Sequence, residues 1–123
     1  MTSYPRHLFG RESENKALLW LLQNQTWKLL TRNYRCKWGE IDLIFEETLE
    51  NGKEVELVFV EVRARSDVSW LSAPESLNQA KRGCMRRSAY DFLARYKGAA
   101  VSTRYDLVSW DGVQWSQIKN LLL

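Results

Sequence analysis

The chain has 123 residues, 45% of them hydrophobic and 27% charged, with a net charge of +3, which describes one globular, mildly basic domain and excludes a disordered chain or two ordinary domains. Its two cysteines lie far apart with no CxxC, and its one histidine, His7, stands near the N-terminus; these argue against a disulfide scaffold, a zinc site and histidine-based nucleophilic catalysis. No apolar run reaches membrane length and MTSYPRHLFG lacks a signal-peptide core, so a cytoplasmic protein with free thiols is expected.

The first element is a helix over residues 11–23, with Ala17, Leu18, Leu21 and Leu22 as an apolar stripe at helical spacing. Glu14 stands at the N-terminal end of that stripe. The helix dipole alone accounts for a carboxylate there, and so does a catalytic role. Residues 25–32 alternate as a strand, with Trp27, Leu29 and Thr31 against Lys28, Leu30 and Arg32. A basic, aromatic loop over 33–38 is expected next, closed by Gly39.

Two strands follow, residues 40–45 and 55–64, separated by a polar stretch containing Asn51-Gly52. Asn-Gly is the strongest short hairpin signal, because both central residues of a type I′ turn need positive φ. After a loop with Ser69, Ser72 and Pro74, the longest helix spans roughly 75–96. Leu77, Ala80, Cys84, Ala89, Phe92, Leu93 and Tyr96 face inward, while Arg82, Arg86 and Arg87 crowd the outside. Strands over 101–110 and 113–118 complete the chain around Asp111-Gly112, a second hairpin turn. The order α-β-β-β-α-β-β predicts an α/β domain with a mixed sheet.

The hairpin fixes a register. With Asn51-Gly52 as the central turn residues, Glu46 faces Leu57, Ile44 faces Phe59, Asp42 faces Glu61 and Glu40 faces Arg63. Directly opposed residues share a face, with Cβ atoms about 5 Å apart. Opposed carboxylates repel, and at the end of an apolar strand that cost needs an offset. Either they share a proton or grip a hard cation such as Mg²⁺, or the strand ends fan open to water with Glu61 paired to Arg63 or Arg65.

Two basic stretches flank this acidic block, Lys28 to Lys37 and Arg63 to Arg95. They suit a polyanion partner, and equally suit solvated helix and loop faces. Tyr34, Arg35, Lys37 and Trp38 interleave charge with aromatic rings as backbone contact and base stacking require, although Trp38 equally reads as a packing anchor. Lys81 on the long helix is either a phosphate contact or a solvated lysine.

The strings Gly39-Glu40-Ile41-Asp42-Leu43-Ile44 and Phe59-Val60-Glu61-Val62-Arg63-Ala64-Arg65 resemble the YraN-like family of small, uncharacterised bacterial proteins. The resemblance extends to Gly10, Glu14 and Ala17 in the first helix, Asn33, Lys81 and Ala89, and Arg104-Tyr105-Asp106. That family is similar to archaeal Holliday-junction resolvases and the wider PD-(D/E)XK nucleases. The resemblance implies a restriction-endonuclease-like core and nucleic-acid binding, DNA foremost, with branched DNA among the substrates. It makes Asp42 the motif aspartate, Glu61 the second acidic residue and Glu14 the first-helix glutamate. Asp42, Glu61 and the backbone carbonyl of Val62 would then hold one Mg²⁺ or Mn²⁺, with Glu14 completing the shell or binding a second ion. Arg63 stands in the place of the motif lysine and cannot give up its proton at neutral pH, so its role would be phosphate orientation or charge stabilisation. Arg65, Lys81 and the basic loop would contact nucleic acid. Resolvase-like relatives work as dimers, which makes a homodimer an expectation of the same kind. A non-cleaving nucleic-acid-binding module and a protein-interaction scaffold are the rival readings.

Overall fold

A computed structural model describes residues 6–24, 26–64 and 74–123, with side chains from residue 11 onward. Helix α1 (Arg6–Leu21) is followed by strands β1 (Trp27–Cys36), β2 (Gly39–Thr48) and β3 (Val55–Ala64). A short 3-10 turn (Pro74–Ser76) then leads into helix α2 (Gln79–Leu93), and β4 (Ser102–Trp110) and β5 (Trp115–Ile118) follow. The strands form one sheet in sequence order, antiparallel except where β4 runs parallel to β3. That pairing needs a crossover, and α2 lies within it.

The sheet is covered on both faces. Ala17 and Leu21 of α1 pack with Trp27, Leu43, Phe45, Val58, Val60 and Val108. On the other face, Met85 and Ala89 of α2 pack with Ile41, Ile44, Leu57, Phe59, Tyr105 and Leu107. Central strand β3 is buried on both sides from Leu57 to Glu61, which explains its near-continuous apolar run.

The predicted order of elements holds, and its differences have local causes. The expected basic loop over 33–38 is mostly strand: Tyr34 pairs with Ile41 and Arg35 with Glu40, leaving Lys37 and Trp38 as the turn. As an edge strand, β1 tolerates charges that a central strand would not. A bulge between Leu29 and Thr31 and a positive φ of 53° at Asn33 let it bend and continue. The long helix starts later than expected because Asn78, in an extended conformation, caps it by accepting from the Lys81 N–H at 2.8 Å.

The β2–β3 register is the predicted one over its six ladder pairs, including Glu46 with Leu57 and Ile44 with Phe59. The turn itself differs. Leu49 donates to the Glu54 carbonyl, so the loop holds four residues, and only Gly52 of the Asn-Gly pair has positive φ. Asn51 Oδ1 instead accepts from the N–H groups of Lys53 and Glu54. One pair is lost from each strand equally, so the register survives. Asp111-Gly112 behaves likewise, with Trp110 pairing Trp115 across a longer turn.

A second polar cluster, separate from the carboxylates described below, locks the sheet. Arg104 bridges Glu47 of β2, Glu56 of β3 and Asp106 of β4 at 3.0, 2.6 and 3.0 Å. The fully buried Asp106 also accepts from Gln117 and the Asn120 N–H, both at 2.9 Å. Every charge in this group is answered by hydrogen bonds, as burial demands. The Arg104-Tyr105-Asp106 string is therefore a structural tie across four strands.

Candidate metal centre and nucleic-acid interface

The β2–β3 ladder stops at Leu43 and Val60, one step short of Asp42 and Glu61. Beyond that point the Asp42 side chain takes over: its Oδ2 accepts the Val62 N–H at 2.8 Å. The alternation of β2 is broken here as well, because Ile41 and Ile44, three residues apart, pack on the same α2-side core. Across from Asp42, the β1 ladder skips Asn33, the residue with positive φ. A kinked pair of strands thus leaves a gap in the sheet with Asp42 in it, approached from one face by α1 and from the other by α2.

From the α1 side comes Glu14. Carboxylate oxygens of Glu14, Glu40 and Asp42 all lie within 4.8 Å of one another. The Asn33 amide nitrogen, in the orientation that surrounding acceptors demand, donates to Glu40 Oε1 at 2.7 Å and Glu14 Oε2 at 2.9 Å. Burial, reinforced by the Asp42 charge and a hydrogen bond to Asp42, raises the Glu14 pKa to about 7. Glu14 therefore holds a proton at mildly acid pH and donates it to Asp42. Asp42 is also raised, by burial foremost, against the lowering effect of the Val62 N–H.

From the α2 side comes Lys81, whose Nζ lies 3.5 Å from Glu61 Oε1; Arg63 Nε stands at the same distance from the same oxygen. Glu61 is only 5% exposed. Burial and then the Asp42 charge raise its pKa to about 7, despite the two cations. Its second oxygen, Oε2, is buried without a hydrogen-bond partner, as is the Tyr105 hydroxyl of neighbouring β4. An unanswered carboxylate oxygen in the interior is costly and uncommon.

Sequence reasoning placed Asp42, Glu61 and Glu14, and the geometry gathers Asp42 with Glu14 while Glu61 stands outside the three-carboxylate group. Glu40 joins the group as a residue the sequence reading does not assign to ion binding; its i, i+2 spacing from Asp42 is the available signal. The Val62 group recorded at Asp42 is its N–H. Of the basic residues, Lys81 and Arg63 reach Glu61, while Arg35 is 78% exposed and pairs with Glu40 at 3.4 Å. Tyr34 is drawn inward, its hydroxyl donating to Asp91 and its ring meeting Phe92 edge-on at 5.2 Å. Trp38 stays 39% exposed at the hairpin turn beside Lys37. Arg65 lies outside the described residues. Both cysteines are free thiols, and no helix among the described residues is long and apolar enough to cross a membrane.

Three carboxylate oxygens in such proximity suit a hard cation, which takes oxygen ligands and removes their mutual repulsion. The donor set contains neither sulfur nor imidazole, which disfavours soft metals. The residues present therefore fit Mg²⁺ or Mn²⁺.

The model of the uncharacterised protein family UPF0102 matches residues 13–110, which include every carboxylate of this site. A UPF0102 protein of Janthinobacterium sp. (strain Marseille) is 38% identical over 117 residues, covering 95% of this chain and 89% of its own length. One of Herminiimonas arsenicoxydans is 37% identical, with 95% and 88% covered. One of Halorhodospira halophila is 40% identical over 108 residues, with 86% and 81% covered. On the extent of both kinds of match, this chain belongs to the UPF0102 family, the YraN-like proteins its motifs resemble.

Proposed function

We propose that this protein is a divalent-metal-dependent endonuclease, with a PD-(D/E)XK-type core, that hydrolyses phosphodiester bonds in nucleic acid, DNA foremost. The observation that carries the reading is the group of Glu14, Glu40 and Asp42 oxygens within 4.8 Å of one another, set in a break of the sheet. The element order, with a mixed sheet covered on both faces, supports the choice of core.

Glu14, Glu40 and Asp42 would hold Mg²⁺ or Mn²⁺, with Glu61 beside them. When bound, the ion would polarise a phosphate oxygen and acidify a water molecule. Asp42 is held in place by the Val62 N–H, so its free oxygen is presented in a fixed direction. Glu14 gives up its proton when the site is loaded. Lys81 and Arg63, both within reach of Glu61, supply positive charge where a phosphate's negative charge grows. Arg63 cannot take the proton of the attacking water.

The test is cleavage of labelled branched, duplex and single-stranded DNA, and of RNA, in Mg²⁺, Mn²⁺ or EDTA. Asp42→Asn keeps the acceptor for Val62 but removes a charge, and is expected to lower the rate at least 100-fold. Cleavage that persists in EDTA, or is untouched by this substitution, refutes the reading. Arg63 also favours a second one, a module that binds nucleic acid without cutting it. Salt-sensitive binding with no cleavage under any of these conditions would establish that alternative.

A further inference from the structure

Most cations near the hairpin turn and on α2 are already engaged. Arg35, Lys81 and Arg95 each have a carboxylate within ion-pair distance. Arg82 and Arg86 donate to backbone carbonyls, the former to Pro74, Leu77 and Leu122 and the latter to Leu123. Lys37 and Arg87 are different. Both are exposed, and among the described residues neither has an ion-pair partner. What holds them is one indole: Lys37 Nζ lies 4.9 Å and the Arg87 guanidinium carbon 5.0 Å from the centroid of Trp38.

We infer that Lys37 and Arg87, gathered on Trp38, form a phosphate clamp that grips the backbone of a nucleic-acid strand beside the carboxylate site. Two like charges held on one ring repel each other, and the ring quadrupole offsets only part of that. An anionic strand that contacts both would offset the repulsion. A guanidinium presents a planar fork that matches two phosphate oxygens, while a lysine supplies a compact charge. Trp38 serves as the platform that orders both, a use that combines its packing with its exposure.

The rest of the geometry fits this use. Cys36 donates to the buried Ser88 of α2 at 3.4 Å, which fastens the turn to the helix that carries Arg87. A side chain on Gly83 would meet Arg87 Nη1 at 3.6 Å, so the arginine runs back along α2 over this glycine. That is toward Lys81. Trp38 and Asp42 are four residue steps apart along the strand, about 13 Å, and Arg87 and Lys81 six steps apart along the helix, about 9 Å. On a duplex, where phosphates of one strand advance about 3.4 Å along the axis per step, about 13 Å corresponds to roughly four steps between the clamp and Asp42.

This inference rests on the nucleic-acid reading, and a binding experiment without metal keeps the two apart. Affinity of the full chain for a fluorescent 20-nucleotide single strand is measured in EDTA across a salt series. For single strands, each phosphate contact contributes about 0.7 to the slope of log affinity against log salt. Lys37→Gln and Arg87→Gln should each reduce the slope by about 0.7, and the double variant by about 1.4. Trp38→Ala should weaken binding about two- to five-fold, with most of the slope kept. Arg95→Gln, which removes a cation already paired with Asp91, should leave the slope unchanged. If the wild-type protein binds with a steep slope that the double variant retains, the clamp is refuted and the nuclease reading stands. If the wild-type protein binds no strand at low salt, the clamp is refuted, and the cleavage assay in metal decides the nuclease reading by itself.

Discussion

Replacing Glu61 with glutamine isolates the energetic cost of a buried carboxylate beside the proposed cation site. Glutamine keeps the shape of the protonated acid and removes its titration. In the folded protein, burial and then Asp42 raise the Glu61 pKa from 4.5 to about 7. An acid whose folded pKa is raised destabilises the fold above its unfolded value, because the unfolded chain ionises first. The penalty is absent below about pH 4.5, grows through the interval and is complete above about pH 7. A displacement of that size is worth about 3 kcal/mol, equivalent to roughly 10 °C in Tm for a domain of this length. The wild-type protein and Glu61→Gln should therefore be similarly stable near pH 4.5, and by pH 8 the variant should be more stable by about 3 kcal/mol. Glu14 and Asp42 titrate in both proteins, so their share cancels to first order in the difference. Urea unfolding in EDTA, followed by tryptophan fluorescence, gives the two curves. Curves that run parallel from pH 4.5 to 8 would refute the assignment of a raised pKa to Glu61, and with it the claim that this carboxylate is held at a cost.

The charge next to Glu61 gives a companion result. Lys81→Met removes a cation 3.5 Å from Glu61 that holds its pKa down, so the loss of stability, which starts near pH 4.5 in both proteins, should continue to a higher pH and be larger in the same urea series. An unchanged profile would mean that solvent already screens this partly exposed lysine. Arg104→Met should behave in the opposite manner to Glu61→Gln. It strands Glu47, Glu56 and Asp106 without their common partner, and should cost about 3–5 kcal/mol in urea unfolding. Cation binding to the remaining folded protein should be unchanged.

Much of this fold was legible because period-2 and 3.6 patterns are robust to small errors in length. The β2–β3 register came out of Asn51-Gly52 even though the turn is larger, since a symmetric change in loop length leaves every pair in place. Boundaries failed where a single residue overrode its neighbours: Asn78 stops α2 from starting earlier, and Asn33 lets β1 run through charges that look like a loop. The site was half legible. Opposition of Asp42 and Glu61 follows from counting, but the interruption of the ladder between them does not. It arises from the kink at Asn33 and from the Asp42 side chain replacing a backbone acceptor, neither of which has a periodic signature. Glu40 became part of the cluster for the same reason.

The two acidic clusters of this sheet show why composition alone cannot separate structural from chemical charge. Glu47, Glu56 and Asp106 share Arg104, and Asp106 gains two further donors. No buried oxygen among the three lacks a partner. Glu14, Asp42 and Glu61 stand in the same sheet with raised pKa values, and one buried oxygen of Glu61 is unanswered. A fold able to satisfy one cluster so fully was under no topological compulsion to leave the other strained, since β2 and β3 contribute to both. Strain of this sort persists where the surrounding structure over-determines it and where a ligand relieves it. A divalent cation at Glu14, Glu40 and Asp42 would relieve it where the carboxylates are already ionised and would have to compete with their protons where they are not, so its stabilising effect on the wild-type protein should be large at pH 8 and small at pH 5. Equal stabilisation at the two pH values would mean that the ion binds elsewhere.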